Sequence, residues 1–146
     1  MKISVGADHR GFKYKEKIKK LLASKNIETI DFGAFSEESS DYSEFGLKAA
    51  EAVSQNKANF GIIICGTGNG MLIAANKVRG IRAGLAINPE MARLTRAHND
   101  ANILVLSEMF TPDNQIEEIV DIFIKTEFEG GRHARRVGKI KDYEQG

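Results

Sequence analysis

The sequence predicts a three-layer α/β domain: a five-stranded parallel sheet with helices on both faces. Three observations carry that expectation. Short β-rich runs alternate with longer amphipathic stretches along the chain. The links between them are short, as they are when each helix returns the chain for another parallel strand. One run, "FGIIIC" at 60–65, is apolar without alternation, which suits a central strand covered on both sides.

"KISVGA" (2–7) predicts the first strand. A helix from Phe12 to Lys25 follows, with Tyr14, Ile18, Leu21 and Leu22 on one face. "IETIDFG" (27–33) is the second strand. "SEFGLKAAEAVSQ" (43–55) is the second helix, with Phe45, Ala49, Ala52 and Val53 as its apolar stripe. "FGIIIC" then breaks at a glycine loop, and a third helix runs from Asn69 to Lys77. "IRAGLAI" (81–87) and "ANILVL" (101–106) are strands four and five. Between them lies "PEMARLTRAH", with Pro89 at its first turn. The segment 111–128 reads as one helix capped by Thr111 or Asp113, and "GGRHARRVGKIKDYE" as a basic last helix opened by two glycines. Nothing in 1–146 resembles a linker or a repeat, so the expectation is a single domain of Rossmann-like layout with right-handed crossovers.

Bulk properties narrow the function. The 146 residues are 42% hydrophobic and 28% charged, with a net charge of +1. No global field then draws nucleic acid or an anionic membrane, and any anion site must be local. One cysteine excludes an internal disulfide framework and a Cys-rich metal site. The opening "MKISVGADHRGF" turns polar after five residues and reads as no signal peptide. No apolar run reaches membrane-spanning length, so the expected setting is the cytoplasm.

In a parallel sheet, ligands bind beyond the carboxyl ends of the strands. Asp8 and His9 fall there, after strand one, and so does "CGTGNG", residues 65 to 70, after strand three. The spacing of Gly66, Gly68 and Gly70 fits neither the phosphate-loop pattern nor the dinucleotide fingerprint. The loop still opens a helix, so its N–H groups suit a phosphate or a developing oxyanion, unless it is only a tight turn. Cys65 has two readings, a small buried hydrophobe or a thiolate favoured by the helix N-terminus. Asp8 either caps or binds; His9 is either a partly exposed histidine or an anion contact. His98 and Asn99 lie just before strand five, at the opposite edge of the sheet unless another subunit supplies them. Arg132 and Arg136 share a helix face and either grip one phosphate or belong to a solvated basic helix, while Arg135 points elsewhere.

Taken together, "GADHRGF", "DYSEFG", "IIICGTGNGMLIAANKVRGIRAGL", "RAHNDANILVL" and "FEGGRHARRVGKI" resemble the ribose-5-phosphate isomerase B family over residues 3 to 141. Galactose-6-phosphate and allose-6-phosphate isomerases are among its relatives. The resemblance implies interconversion of ribose 5-phosphate and ribulose 5-phosphate, with no metal or organic cofactor. It implies that Cys65 is the base and that Gly66 to Gly70, Asn69 included, hold the enediolate oxygen with help from Thr67. By the same resemblance His98 opens the ring, while Asp8 and Asn99 contact sugar oxygens. His9, Arg132 and Arg136 would hold the phosphate, and Tyr42 would line the pocket. It further implies a homodimer, or a tetramer built from it, whose sites combine two subunits so that His98 and Asn99 complete the neighbour's pocket. The sequence departs from the family's pattern at Ser43, which should loosen a loop, at Asn69 and Met71, and at Met109, where an arginine ligand to phosphate is expected. A six-carbon sugar phosphate is therefore the alternative substrate. A sugar-phosphate binding module and a transferase with a cysteine nucleophile are the readings from other classes.

Overall fold

A computed structural model describes Met1–Gly146. Five parallel strands form one sheet in the order β2-β1-β3-β5-β4: β1 Lys2–Ala7, β2 Glu28–Asp31, β3 Phe60–Cys65, β4 Ala83–Leu85 and β5 Ile103–Ser107. The helices are α1 Phe12–Ser24, α2 Tyr42–Ser54, α3 Asn69–Asn76, α4 Pro89–Asn99, α5 Ile116–Lys125 and α6 Arg132–Gln145.

Strand side chains alternate between two cores, as a period of two requires. On one face Ile3, Val5, Ala7, Ile62, Ile64, Leu104 and Leu106 pack beneath α1, α4 and α5. On the other, Ile63, Cys65, Ile103 and Val105 pack beneath α2 and α3. The three layers of the expected fold are therefore present. From β1 the chain steps to β2 on one side, then crosses to β3 on the other. That reversal opens a crevice between β1 and β3 at their carboxyl ends.

Three expectations need correcting, and one departure from the family pattern finds its place. The fourth strand is only three residues long. Segment 111–128 is not one helix: a short 3-10 turn, Asp113–Gln115, precedes α5, and neither start has a side-chain cap. Thr111 instead turns inward, donating to Ala86 O and accepting from Ser107 N–H. Ser43 sits in the first turn of α2 rather than in a loop. Met71 is fully buried, and its sulfur fills the space that a side chain at Gly46 would occupy.

Candidate active site

Asp8, His9, Tyr42 and the glycine loop come together at the carboxyl edge between β1 and β3. Asp8 is buried, and its Oδ1 accepts from the N–H groups of Arg10 and Gly11, both at 3.0 Å. It thus caps the turn into α1. His9 is fixed from two sides: its N–H donates to Ser40 Oγ at 3.1 Å, and its Nδ1 accepts from Ser40 N–H at 3.2 Å. An accepting Nδ1 leaves a neutral ring's proton on Nε2, the nitrogen free to donate to a ligand.

Cys65 ends β3 with 4% exposure. Gly68 then takes φ +86°, a conformation that favours glycine, and starts α3. A Cβ on Gly70 would lie 2.7 Å from the Tyr42 ring, so the tyrosine closes over the loop. Burial pushes the Cys65 thiol up, and the charge on Asp8 adds to that push. The N–H groups of Met71, Gly68 and Gly70 work in the opposite direction without overcoming it. The thiolate that the helix N-terminus was expected to favour is thus opposed by its own burial. Thr67 and Asn69 are exposed, and Thr67 Oγ1 accepts from Asn69 N–H at 3.2 Å. The loop is tied to the end of β5, because Gly66 O accepts from Ser107 Oγ at 2.8 Å and from Met109 N–H at 3.0 Å.

The other half of the expected site lies elsewhere. The chain enters α4 from β4 and leaves it into β5, so His98 and Asn99 reach the amino edge of the sheet. Within one subunit they do not join Cys65. Glu129 N–H donates to Ala97 O, bringing the start of α6 beside them. His98 stacks on His133 with ring centroids 4.0 Å apart and planes 9° from parallel, and its Nε2 lies 3.6 Å from Glu129. Burial, followed by the charges of His98 and Arg132, lowers the affinity of His133 for a proton. Arg132 and Arg136 are exposed and form no ion pair with the chain's carboxylates. The largest cleft, about 660 Å³, is also at this edge. It runs between Ile81, Arg82 and Asn99 on one side and Ile140 and Tyr143 on the other, and includes none of the glycine loop.

Ligand atoms of His98, Glu129 and His133 lie within 4.8 Å of one another. Imidazole lone pairs lie in the ring plane, so stacked, nearly parallel rings send them side by side. They do not converge on one ion at the ~2.0–2.1 Å that a zinc–nitrogen bond requires.

Sequence reasoning passed over two residues at these sites, Arg10 and His133. Both stand inside quoted motifs, but the first depends on strand order and the second on how α6 docks.

A profile of the Ribose/Galactose Isomerase family matches residues 3–140. The chain is 42% identical to ribose-5-phosphate isomerase B of Escherichia coli, covering 99% of this chain and 97% of that one. Its fold matches ribose-5-phosphate isomerase B of Clostridium thermocellum with a TM-score of 0.97 at 52% identity, covering 99% and 98% of the two chains. It matches the Mycoplasma genitalium enzyme, solved with bound ribulose-5-phosphate, with a TM-score of 0.94 at 41% identity, covering 99% and 96%. The strand order, the glycine loop around a single thiol and these full-length matches agree: the chain belongs to the ribose/galactose isomerase family.

Proposed function

We propose that this protein is an aldose–ketose isomerase that interconverts ribose 5-phosphate and ribulose 5-phosphate. The observation that carries this reading is the placement of the sole cysteine. It lies beneath a glycine loop at the β1–β3 crevice, with Asp8, His9 and Tyr42 at the rim.

In the proposed reaction, His98 of a second copy donates a proton to the ring oxygen as the C1–O bond breaks, and the anomeric hydroxyl gives its proton to water as the C1 carbonyl forms, which opens the sugar. The Cys65 thiolate takes the C2 proton, breaking C–H and forming S–H, while the electron pair moves onto the C1 oxygen. Loop N–H groups stabilise that oxygen; losing one such donor typically costs about 3–4 kcal/mol. The thiol returns its proton to C1 as the O2 proton moves toward O1, with the Thr67 hydroxyl nearby to assist. His9 Nε2, together with Arg132 and Arg136 from the second copy, binds the phosphate, which fixes the reacting carbons against the sulfur. Asn99 of that copy and Asp8 hold sugar hydroxyls. On this reading the chain acts as one domain in the cytoplasm, without metal or organic cofactor. Its working unit is a homodimer or a tetramer built from two such dimers.

Purified protein incubated with ribose 5-phosphate is expected to form the ketose without added metal. Cys65→Ala should lower kcat by about 10²–10⁴-fold, the usual contribution of a positioned base. Turnover by that variant at the parent rate would remove the base from the scheme. Met109 favours a second reading, because it is exposed beside Gly66 and brings no charge to a phosphate. Under that reading the preferred substrate is a six-carbon sugar phosphate, and comparing kcat/KM on ribose, allose and galactose phosphates separates the two.

A further inference from the structure

We propose that Arg10 is a further substrate-binding residue, which exchanges its contact with Glu108 for the phosphate of the bound sugar. The proposal rests on the isomerase reading above.

Arg10 follows His9 at the carboxyl end of β1, and its side chain crosses toward β3 and β5. A Cβ placed on Gly66 would lie 3.8 Å from Arg10 Cγ and Cζ and 3.9 Å from Nε. The guanidinium therefore lies over the backbone immediately after Cys65. Arg10 Nη2 donates to Glu108 Oε2 at 3.0 Å, its one side-chain hydrogen bond in the chain. A guanidinium has five N–H donors, so the others remain available at the crevice. Half of the Arg10 side chain is exposed, as is 36% of Glu108. An ion pair this exposed is weak and easily exchanged. A phosphate dianion offers a stronger, bidentate partner.

Glu108 is held in place independently of its side chain: its N–H donates to Cys65 O at 3.0 Å. Its carboxylate thus stands next to the site, where it repels a phosphate unless a cation covers it. Arg10 supplies that cover in the free protein. Met109, fastened to Gly66 O, supplies no charge of its own. On this face of the subunit, Arg10 is the guanidinium that reaches the loop.

A purely structural strap between the β1 and β5 loops predicts the same response to losing either partner. Phosphate binding by Arg10 predicts opposite responses. Arg10→Ala should raise KM for ribose 5-phosphate, and the dissociation constant of inorganic phosphate, about tenfold, as for loss of a charged hydrogen bond. kcat should change less than KM does, because the contact is with the phosphate, whose charge is the same in substrate and transition state. Arg10→Lys should recover part of the loss. Glu108→Gln should tighten phosphate in the parent background and do so much less in Arg10→Ala, because its effect runs through the arginine. The proposal is overturned if phosphate binding is unchanged in Arg10→Ala, or if Arg10→Ala and Glu108→Gln both weaken it. Phosphate titration by calorimetry decides this without turnover. Parent protein that isomerises no aldose phosphate would bring down the isomerase reading, and the phosphate constants would still decide the role of Arg10.

Discussion

Lys15 has no exposed side-chain surface, yet it keeps its charge partner. Its Nζ donates to Asp31 Oδ1 at 2.9 Å and to Oδ2 at 2.7 Å, and Lys19 Nζ reaches the same carboxylate at 2.8 Å. Asp31 Oδ1 also accepts from Gly33 N–H at 2.9 Å, and Gly33 O accepts from Ala7 N–H at 2.7 Å, one residue before Asp8. The buried pair thus braces the end of β1 from which Asp8 and His9 project. Burial pushes the Asp31 carboxyl up, but the hydrogen bonds from Lys15, Lys19 and Gly33 outweigh it and hold it below the usual carboxylate range. A lowered acid stabilises the fold above its unfolded value of ~3.9, and that contribution is lost as pH falls through the folded value. Lys15→Met leaves Asp31 with Lys19 and Gly33 and should cost roughly 3 kcal/mol, the lower end for breaking a buried pair. Urea unfolding at neutral pH measures that loss. A variant as stable as the parent would show that Lys19 alone suffices.

The helices show why some of the chain was legible and some was not. Helix α1 begins at Phe12 as its periodicity requires, with Ile18 and Leu22 buried. That same periodicity says nothing of Lys15, whose burial depends on Asp31 from a different strand. Segment 111–128 carries an unbroken helical pattern, but Thr111 bonds inward to Ala86 and Ser107, so regular helix waits until Ile116. At α6 the two glycines and the arginine spacing mark the start, while the stacking of His133 on His98 depends on docking against α4. That stack has a pH consequence. His133 faces His98, Glu129, Arg132 and Arg136, and burial, then the charge of His98, keeps it neutral below the ordinary imidazole value of ~6.5. The unfolded chain takes up this proton first as pH falls through that value, so stability declines from there down to the folded value. His133→Phe keeps a flat ring in the stack and removes the titration. Thermal midpoints at pH 7.5 and 5.5 should therefore differ less in the variant than in the parent. An equal or larger difference would place the acid sensitivity elsewhere.

At the scale of the whole molecule, the residues of the proposed site are divided between two edges of one sheet. Cys65, Thr67, Asp8, His9 and Tyr42 stand at the carboxyl edge, and His98, Asn99, Arg132 and Arg136 at the amino edge. Chain order alone exposes the conflict, because a residue just before a parallel strand starts at the edge opposite to one just after it. It does not reveal the strand order β2-β1-β3-β5-β4, which makes the loops after β1 and β3 neighbours, since non-adjacent pairing leaves no local signature. Our proposal resolves the division with a two-fold pair, each copy giving its amino-edge groups to the other's crevice, as isologous contacts allow. In that pair Cys65→Ala and His98→Ala are each inactive as homodimers, for different reasons. A mixed dimer has one site with both defects and one with neither. Co-expressed at equal levels with random pairing, the two variants should recover about a quarter of the parent activity. If both groups served the same subunit's site, no pairing could restore it, and the mixture would stay as inactive as its parts.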